Sequence, residues 1–200
     1  MKRLTIAALC ATIILSFNAQ AATKQTPAEK AVRSTVSSYL KAVKAYDIAK
    51  IRKCFANPSN VKLFDKKKYT AKFIRSMNSK NFTYKIKSVS TKKYSAKAKV
   101  DIWYLSCYEP FKYAFDDMVM YMYYHPKATD NQSDQYQYKR TVKYYKNFVK
   151  GFKGDYTINM AISIPLKNIN GKWKISKITY EMKDAMHCDY HSAFDDYFYE

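Results

Sequence analysis

The segment FTYKIKSVSTKKYSAKAKVDIWY, residues 82–104, decides how this chain folds. Apolar side chains occupy every second position on either side of a polar turn near residues 90–93, which predicts two antiparallel strands with one apolar and one polar face. Asp101 is in phase with the polar positions, so we expect it to point outward into an ion pair with lysine. The polar face is strongly basic, and its lysines are Lys85, Lys87, Lys97 and Lys99.

A second hairpin is predicted over residues 156–182. Apolar residues alternate on both sides of Asn170-Gly171, a pair that is typical of a two-residue hairpin turn. The alternation changes phase between Ile175 and Ile178, which predicts a bulge near Ser176-Lys177. The two hairpins together indicate an antiparallel sheet.

Helical patterns precede and interrupt this sheet. The residues Thr26-Pro27-Ala28-Glu29 are a helix start, with Thr as N-cap, Pro at the first helical position and Glu three residues after the cap. Apolar residues at helical spacing continue to about Tyr46, and Asp47 caps a second, shorter helix. Two more helical segments fall within residues 110–151. This order predicts an α+β fold in which N-terminal helices pack on a curved antiparallel sheet, with a helical insertion between strands.

Composition indicates a folded, strongly basic protein. The chain has 200 residues, of which 48% are hydrophobic, and only 3 Gly and 5 Pro, which excludes a collagen-like or low-complexity chain. The 36 Lys+Arg residues outnumber the 16 Asp+Glu residues, which gives a net charge of +20 at pH 7. Such a charge attracts polyanions, although a solvated lysine-rich surface is the plain alternative. Most of these cations are Lys, which suits diffuse charge better than bidentate recognition of phosphate or bases.

The amino terminus is typical of a signal peptide. Lys2 and Arg3 precede an uncharged, mostly apolar run over residues 4–17, and Ala19-Gln20-Ala21 fits a cleavage site. The run is too short for a transmembrane anchor. We therefore expect a signal peptide at 1–21, export to the periplasm or the outside, no transmembrane segment after cleavage, and a mature charge of about +18.

The mature chain keeps three cysteines, so at most one disulfide can form within a monomer, one thiol is left over, and a disulfide-rich scaffold is excluded. Cys54 lies on the apolar side of a short helix and is predicted to be a core residue. Cys107 and Cys188 each follow a predicted strand, and they are the pair we would expect to be bridged if a disulfide forms.

The chain resembles the nuclear-transport-factor-two-like superfamily, in particular its small exported bacterial members. The resemblance covers about 28–183 and rests on the long first helix, on Tyr39-Leu40-Lys41-Ala42 and Tyr46-Asp47-Ile48, and on the hairpin of Ile162-Ser163-Ile164 and residues 170–175. It implies a single cone-like domain over 28–183 after a short extension at 22–27, with 110–151 as an insertion. The cone interior of such a fold holds a ligand, carries catalytic residues or is simply filled, so the fold does not fix the function.

The acidic, aromatic tail at 184–200 holds the one cluster of metal-ligand types. If the tail is a single helix, one narrow arc contains Asp184, His187, Cys188, His191 and Asp195. Its two histidines have the i, i+4 spacing that can chelate zinc or copper, with Asp184 and Asp195 as further candidate ligands. The alternative is that this arc is the solvated face of an amphipathic helix. The tail's negative charge could also pair with the lysine-rich sheet.

No catalytic motif stands out, so we expect a non-enzymatic protein. There is no glycine-rich phosphate loop and no serine-hydrolase elbow. We expect an exported domain that binds a small ligand or an anionic surface, either an envelope polymer or lipid headgroups, and no physiological nucleic acid. The alternative is a metal- or ligand-dependent enzyme or sensor that uses the cone interior or the His187/His191 arc. Self-association as a homo-oligomer stays open.

Overall fold

The computed structural model describes residues 25–64, 68–151 and 157–199. The predicted signal peptide lies outside the described residues. Within these ranges, the helices and strands run in the order α1 (Pro27–Lys44), α2 (Ile48–Lys53), a 3₁₀ turn (Pro58–Asn60), α3 (Tyr69–Asn81), β1 (Thr83–Thr91), β2 (Ser95–Leu105), α4 (Tyr108–Tyr124), α5 (Asp130–Gly151), β3 (Thr157–Ile169), β4 (Lys172–Ile175), α6 (Tyr180–His187) and α7 (Tyr190–Tyr199).

The four strands form one antiparallel sheet in the order β1-β2-β3-β4. The β2–β3 pairing is the longest, running from Ser95 opposite Lys167 to Leu105 opposite Thr157. A bulge interrupts the β1–β2 register between Ile86 and Ser88. The predicted α+β fold is confirmed, with helices before the sheet and a helical insertion, α4 and α5, between its second and third strands.

The helix α1 covers the apolar face of the sheet. Its start has the predicted capping box, because the Thr26 hydroxyl accepts from the Glu29 backbone N–H and the Glu29 carboxylate accepts from the Thr26 backbone N–H. One face of α1 is buried against β1, β2 and β4. The side chains that it buries are Val32, Val36, Tyr39, Leu40, Ala42 and Val43.

The predicted return strand of the second hairpin is too long. β4 ends at Ile175, so the expected bulge near Ser176-Lys177 does not exist, and residues 180–187 are helical. The Thr179 side chain caps this helix by accepting from the Met182 backbone N–H. Met182, Ala185 and Met186 then reach the core at helical spacing, which a strand could not achieve.

The tail is also not a single helix. Cys188 and Asp189 both have left-handed backbone angles, with φ of 55° and 64°, and they separate α6 from α7. A left-handed pair ends the α-helical hydrogen-bond series, so the chain changes direction there. As a result the domain does not end at residue 183: α6 lies in the core and α7 packs on α4.

A carboxylate from the helical insertion caps the N-terminus of α3. The N-cap residue of α3 makes no side-chain hydrogen bond. Asp134 of α5 replaces it, because its carboxylate accepts from the backbone N–H groups of Tyr69 and Thr70 at 2.6 and 3.3 Å and from the Thr70 hydroxyl at 2.7 Å. A carboxylate at a helix N-terminus also interacts favourably with the helix dipole.

No helix in the described ranges is both long and apolar enough to span a membrane.

We expect Asp134→Ala to lower the free energy of unfolding by about 2 kcal/mol, because three donors at the start of α3 lose a charged acceptor. Urea unfolding at pH 7 measures the change. Asp130→Ala, on the exposed first turn of α5, the helix that also carries Asp134, is the matched control and should cost less than about 1 kcal/mol. Equal losses in the two variants would show that the cap contributes nothing.

Candidate functional site

The outer face of the sheet is the candidate site. The strand alternation points Lys85, Lys87, Lys97 and Lys99 to the side opposite the core, and all of them are exposed. The register places Lys97 opposite Ser90 and Lys99 opposite Ser88. The structure therefore brings the predicted lysines together on one surface, which we call the outer lysine face.

Asp101 points into the outer lysine face, as expected. Its carboxylate forms an ion pair with Lys87, with 3.3 Å between Nζ and Oδ2. Asp101 is opposite Lys85 in the register. In the part of the chain that the structure describes, Lys85, Lys97 and Lys99 have no ion-pair partner. The outer lysine face is therefore mostly uncompensated positive charge.

Two further lysines extend this surface, and the sequence analysis missed them. Pro165 of β3 is the register partner of Lys97. Lys167 is two residues further along β3, so it lies on the same side of the strand as Pro165. Lys174 of β4 is directly opposite Lys167, and its ammonium group donates to the Lys53 carbonyl. Lys167 alternates with buried Ile164 and Leu166, which is the signal that could have placed it outward.

The outer lysine face is suited to an extended anion rather than to an enclosed molecule. Alternate residues on a strand are about 6.8 Å apart and neighbouring strands about 4.8 Å, so the ammonium groups form a broad array. The serines between the lysines add hydroxyl donors. A shallow depression at the turn between β1 and β2 is lined by Ser90, Lys92, Ser95, Ala96 and Lys97.

The predicted metal-ligand arc is mostly buried, so it is not a solvated face. Asp184 is 6% exposed and His187 is fully buried, whereas His191 and Asp195 are half-buried on α7. Phe64 covers the arc: its ring lies edge-on to His187 and parallel to His191. Among the described residues no group of three or more His, Cys, Asp or Glu is arranged to hold a metal ion. The zinc or copper site stays a prediction.

His187 is a neutral core histidine. Its Nδ1 lies 3.0 Å from the Lys183 carbonyl, so the neutral ring carries its proton on Nδ1 and donates it there. Its Nε2 is buried and makes no hydrogen bond. Burial lowers the pKa of His187 to about 3, and the neighbouring His191 adds to that shift.

The acids of this region are also directed inward. Burial raises the pKa of Asp184 to about 6, and hydrogen bonds from Ser192 partly oppose that shift. Asp189 accepts a 2.6 Å hydrogen bond from the Tyr104 hydroxyl. Asp196 accepts one from Tyr108, also at 2.6 Å. In the described ranges the tail forms no ion pair with the lysine-rich sheet, because the acid that pairs with a lysine of this sheet is Asp101, on the sheet itself.

The positions of the cysteines agree with the sequence analysis except that of Cys188. Cys54 is a buried core residue, and Cys107 and Cys188 are neighbours, with 3.0 Å between the Cys107 backbone nitrogen and the Cys188 carbonyl oxygen. All of them are free thiols in the structure. Cys188 follows the helix α6, however, and not a strand.

Comparisons with protein-family models, curated proteins and solved structures found no match. The resemblance to the nuclear-transport-factor-two-like superfamily therefore stays a prediction.

His187 should make the stability of the fold depend on pH. Below about pH 6.5 the unfolded chain binds a proton that the folded His187 binds only near pH 3, so its contribution falls as pH falls. Asp184 has the opposite effect: because its pKa is raised from 3.8 to about 6 in the fold, its contribution to stability increases as pH falls through that range. A variant without His187 isolates the histidine effect.

We expect the free energy of unfolding of wild type minus that of His187→Gln to decrease by about 1.4 kcal/mol per pH unit between pH 6 and pH 4. Urea unfolding across this range measures it. His125→Gln, at an exposed position after α4, is measured in parallel to show what the removal of an exposed histidine does to the same curve. A difference between wild type and His187→Gln that stays constant from pH 6 to pH 4 would contradict a lowered pKa of His187 in the fold.

Proposed function

We propose that this chain is a non-catalytic domain that acts outside the cytoplasm and binds an anionic cell-envelope surface through the outer lysine face. The observation that carries the proposal is the exposed cluster of Lys85, Lys97 and Lys99, which have no acidic partner in the described ranges. Extracytoplasmic location rests on the predicted signal peptide. The binding partner is then a phosphate-bearing wall polymer or a lipid headgroup rather than nucleic acid.

Electrostatics favours this use of the surface. An exposed lysine contributes about 1 kcal/mol to attachment at an anionic membrane surface, so several of them add up to useful affinity without a pocket. The attraction falls with salt because the Debye length is about 10 Å at 0.1 M. Lysine is a compact, flexible point charge, which suits an irregular or fluid array of phosphates.

The alternative metal- or ligand-dependent activity has less support. His187, its central residue, is enclosed by the rings of Tyr46, Phe64 and His191. A ligand could reach Nε2 only if this packing opened. Binding of a small ligand elsewhere and self-association remain predictions that the following experiments do not require.

We expect the triple variant Lys85→Gln, Lys97→Gln and Lys99→Gln to bind vesicles containing phosphatidylglycerol about 100-fold more weakly than wild type, because three contributions of about 1 kcal/mol are removed. Vesicle co-sedimentation at about 0.05 and 0.2 M salt measures affinity and its salt dependence. A glycerol-phosphate polymer, tested in parallel, distinguishes a wall polymer from a membrane.

The matched control carries Lys139→Gln, Lys143→Gln and Lys146→Gln on α5, three exposed lysines whose removal changes the net charge equally. We expect it to lose less than about 10-fold, the effect of net charge alone. Equal losses in the two triple variants, or wild-type binding to neutral phosphatidylcholine vesicles, would contradict a specific role of the outer lysine face.

Removing the acid of this surface should have the opposite effect. We expect Asp101→Asn to tighten binding to the same vesicles about 5-fold, because it removes one negative charge and releases Lys87 from its ion pair. Asp130→Asn, which makes the same charge change on α5, should tighten binding less than about 2-fold. Asn has nearly the same size and shape as Asp, so the substitution changes the charge of the outer lysine face with little effect on packing. Unchanged or weaker binding by Asp101→Asn would count directly against the proposal.

A further inference from the structure

Two segments that are far apart in sequence meet at a pair of cysteines. Cys107 precedes α4, the first helix of the insertion, and Cys188 is the left-handed residue that ends α6. The backbone N–H of Cys107 donates to the Cys188 carbonyl at 3.0 Å. Both side chains are buried, and the two thiols are close enough to share a hydrogen bond.

We propose that Cys107 and Cys188 form a disulfide bond in the exported protein, and that Cys54 remains a thiol. The direct backbone hydrogen bond holds the two residues at the short separation that a disulfide needs, which is at most about 7 Å between Cα atoms. An extracytoplasmic location, predicted from the signal peptide, is the setting in which such bonds persist. This inference does not depend on what the outer lysine face binds.

Cys54 cannot compete for either partner in the folded chain. It accepts a backbone hydrogen bond from Ile175, which is opposite Leu166 near one end of β3, whereas Cys107 follows Leu105, which is opposite Thr157 at the other end. Nine residues of strand separate those ends, or roughly 30 Å. This distance is far beyond the reach of a disulfide.

The bond forms by thiol–disulfide exchange with an external oxidase that carries its own disulfide. One cysteine thiolate attacks that disulfide to give a mixed disulfide, and the second cysteine then attacks the mixed disulfide. The new S–S bond joins Cys107 to Cys188, and the oxidase leaves as a dithiol that has taken up two electrons and two protons. The hydrogen bond with Cys107, followed by burial, raises the pKa of the Cys188 thiol, so exchange is fastest before the core closes during folding.

Oxidation would exchange one polar contact for a covalent link. The Cys188 thiol donates to Asn78 Oδ1 at 3.2 Å, and this hydrogen bond is lost. The Asn78 amide nitrogen keeps its bonds to the carbonyls of Val43 and Met186. The disulfide closes a loop of about 80 residues and ties the start of the insertion to the turn between α6 and α7, so it should stabilise the fold substantially.

The test is to refold the chain without residues 1–21, the form that the proposal concerns, in a glutathione redox buffer, block free thiols at low pH, and map the peptides without reduction. We expect a linked pair of peptides that contain Cys107 and Cys188, and a blocked thiol at Cys54. Adding a reductant to the purified protein should lower its Tm by roughly 5–10 °C. Free thiols at both positions, glutathione adducts, or links to Cys54 would overturn the proposal.

Single cysteine variants show which pair forms the disulfide, even where a substitution also destabilises the core. Cys107→Ala and Cys188→Ala should each make the Tm insensitive to reductant, whatever their own stability, whereas Cys54→Ala should keep the full response. The readout compares each protein with itself before and after reduction, so a destabilised variant is still informative. A reductant response that survives in Cys107→Ala, or disappears in Cys54→Ala, would assign the bond to another pair.

Discussion

The antiparallel pairing of β2 with β3 is the constraint on which the rest of the molecule depends. It runs over eleven residue pairs without a shift in register. Because side chains alternate, burying Val100, Ile102 and Ile164 under the helices forces Lys97 and Lys99 to the other side. A slip of one residue would turn every one of these side chains over and bury the lysines. The outer lysine face is thus a direct consequence of how the core is built.

Local signals were enough to predict the first part of the fold. The capping box at Thr26 and Glu29 and the alternation in residues 82–104 depend on interactions between near neighbours in sequence, and each is confirmed. The hairpin around Asn170-Gly171 is present, but the length of its return strand and the continuity of the tail helix were predicted wrongly, because both depend on distant contacts. Residues 178–182 alternate like a strand, yet the Thr179 cap and the fit of Met186 in the core favour a helix. The left-handed turn at Cys188 and Asp189 was not predicted, because such turns usually contain glycine and neither residue is one.

The candidate site divides in the same way. The lysines of β1 and β2 could be placed from their own strands, but adding Lys167 and Lys174 required the register across β3 and β4. His187 and His191 are neighbours, with 4.7 Å between their ring centroids, but the continuous helix from which we predicted this is broken between them at Cys188 and Asp189. Helical geometry could not show that Phe64, from the loop before α3, would cover them, because that contact spans more than a hundred residues of sequence.

The acidic residues explain why the positive charge of the sheet is left uncompensated. Many of them are engaged in structural contacts: Asp134 caps α3, Asp117 pairs with Arg140, and Asp189 accepts from Tyr104. An acid held in this way is fixed by its structural partner and is not an ion-pair partner of the outer lysine face in the described ranges. Lys85, Lys97 and Lys99 are instead exposed, and their long stems keep the ammonium groups in water. The fold therefore uses its acids internally and presents its lysines to solvent, and this separation gives a protein with an ordinary core a surface suited to polyanions.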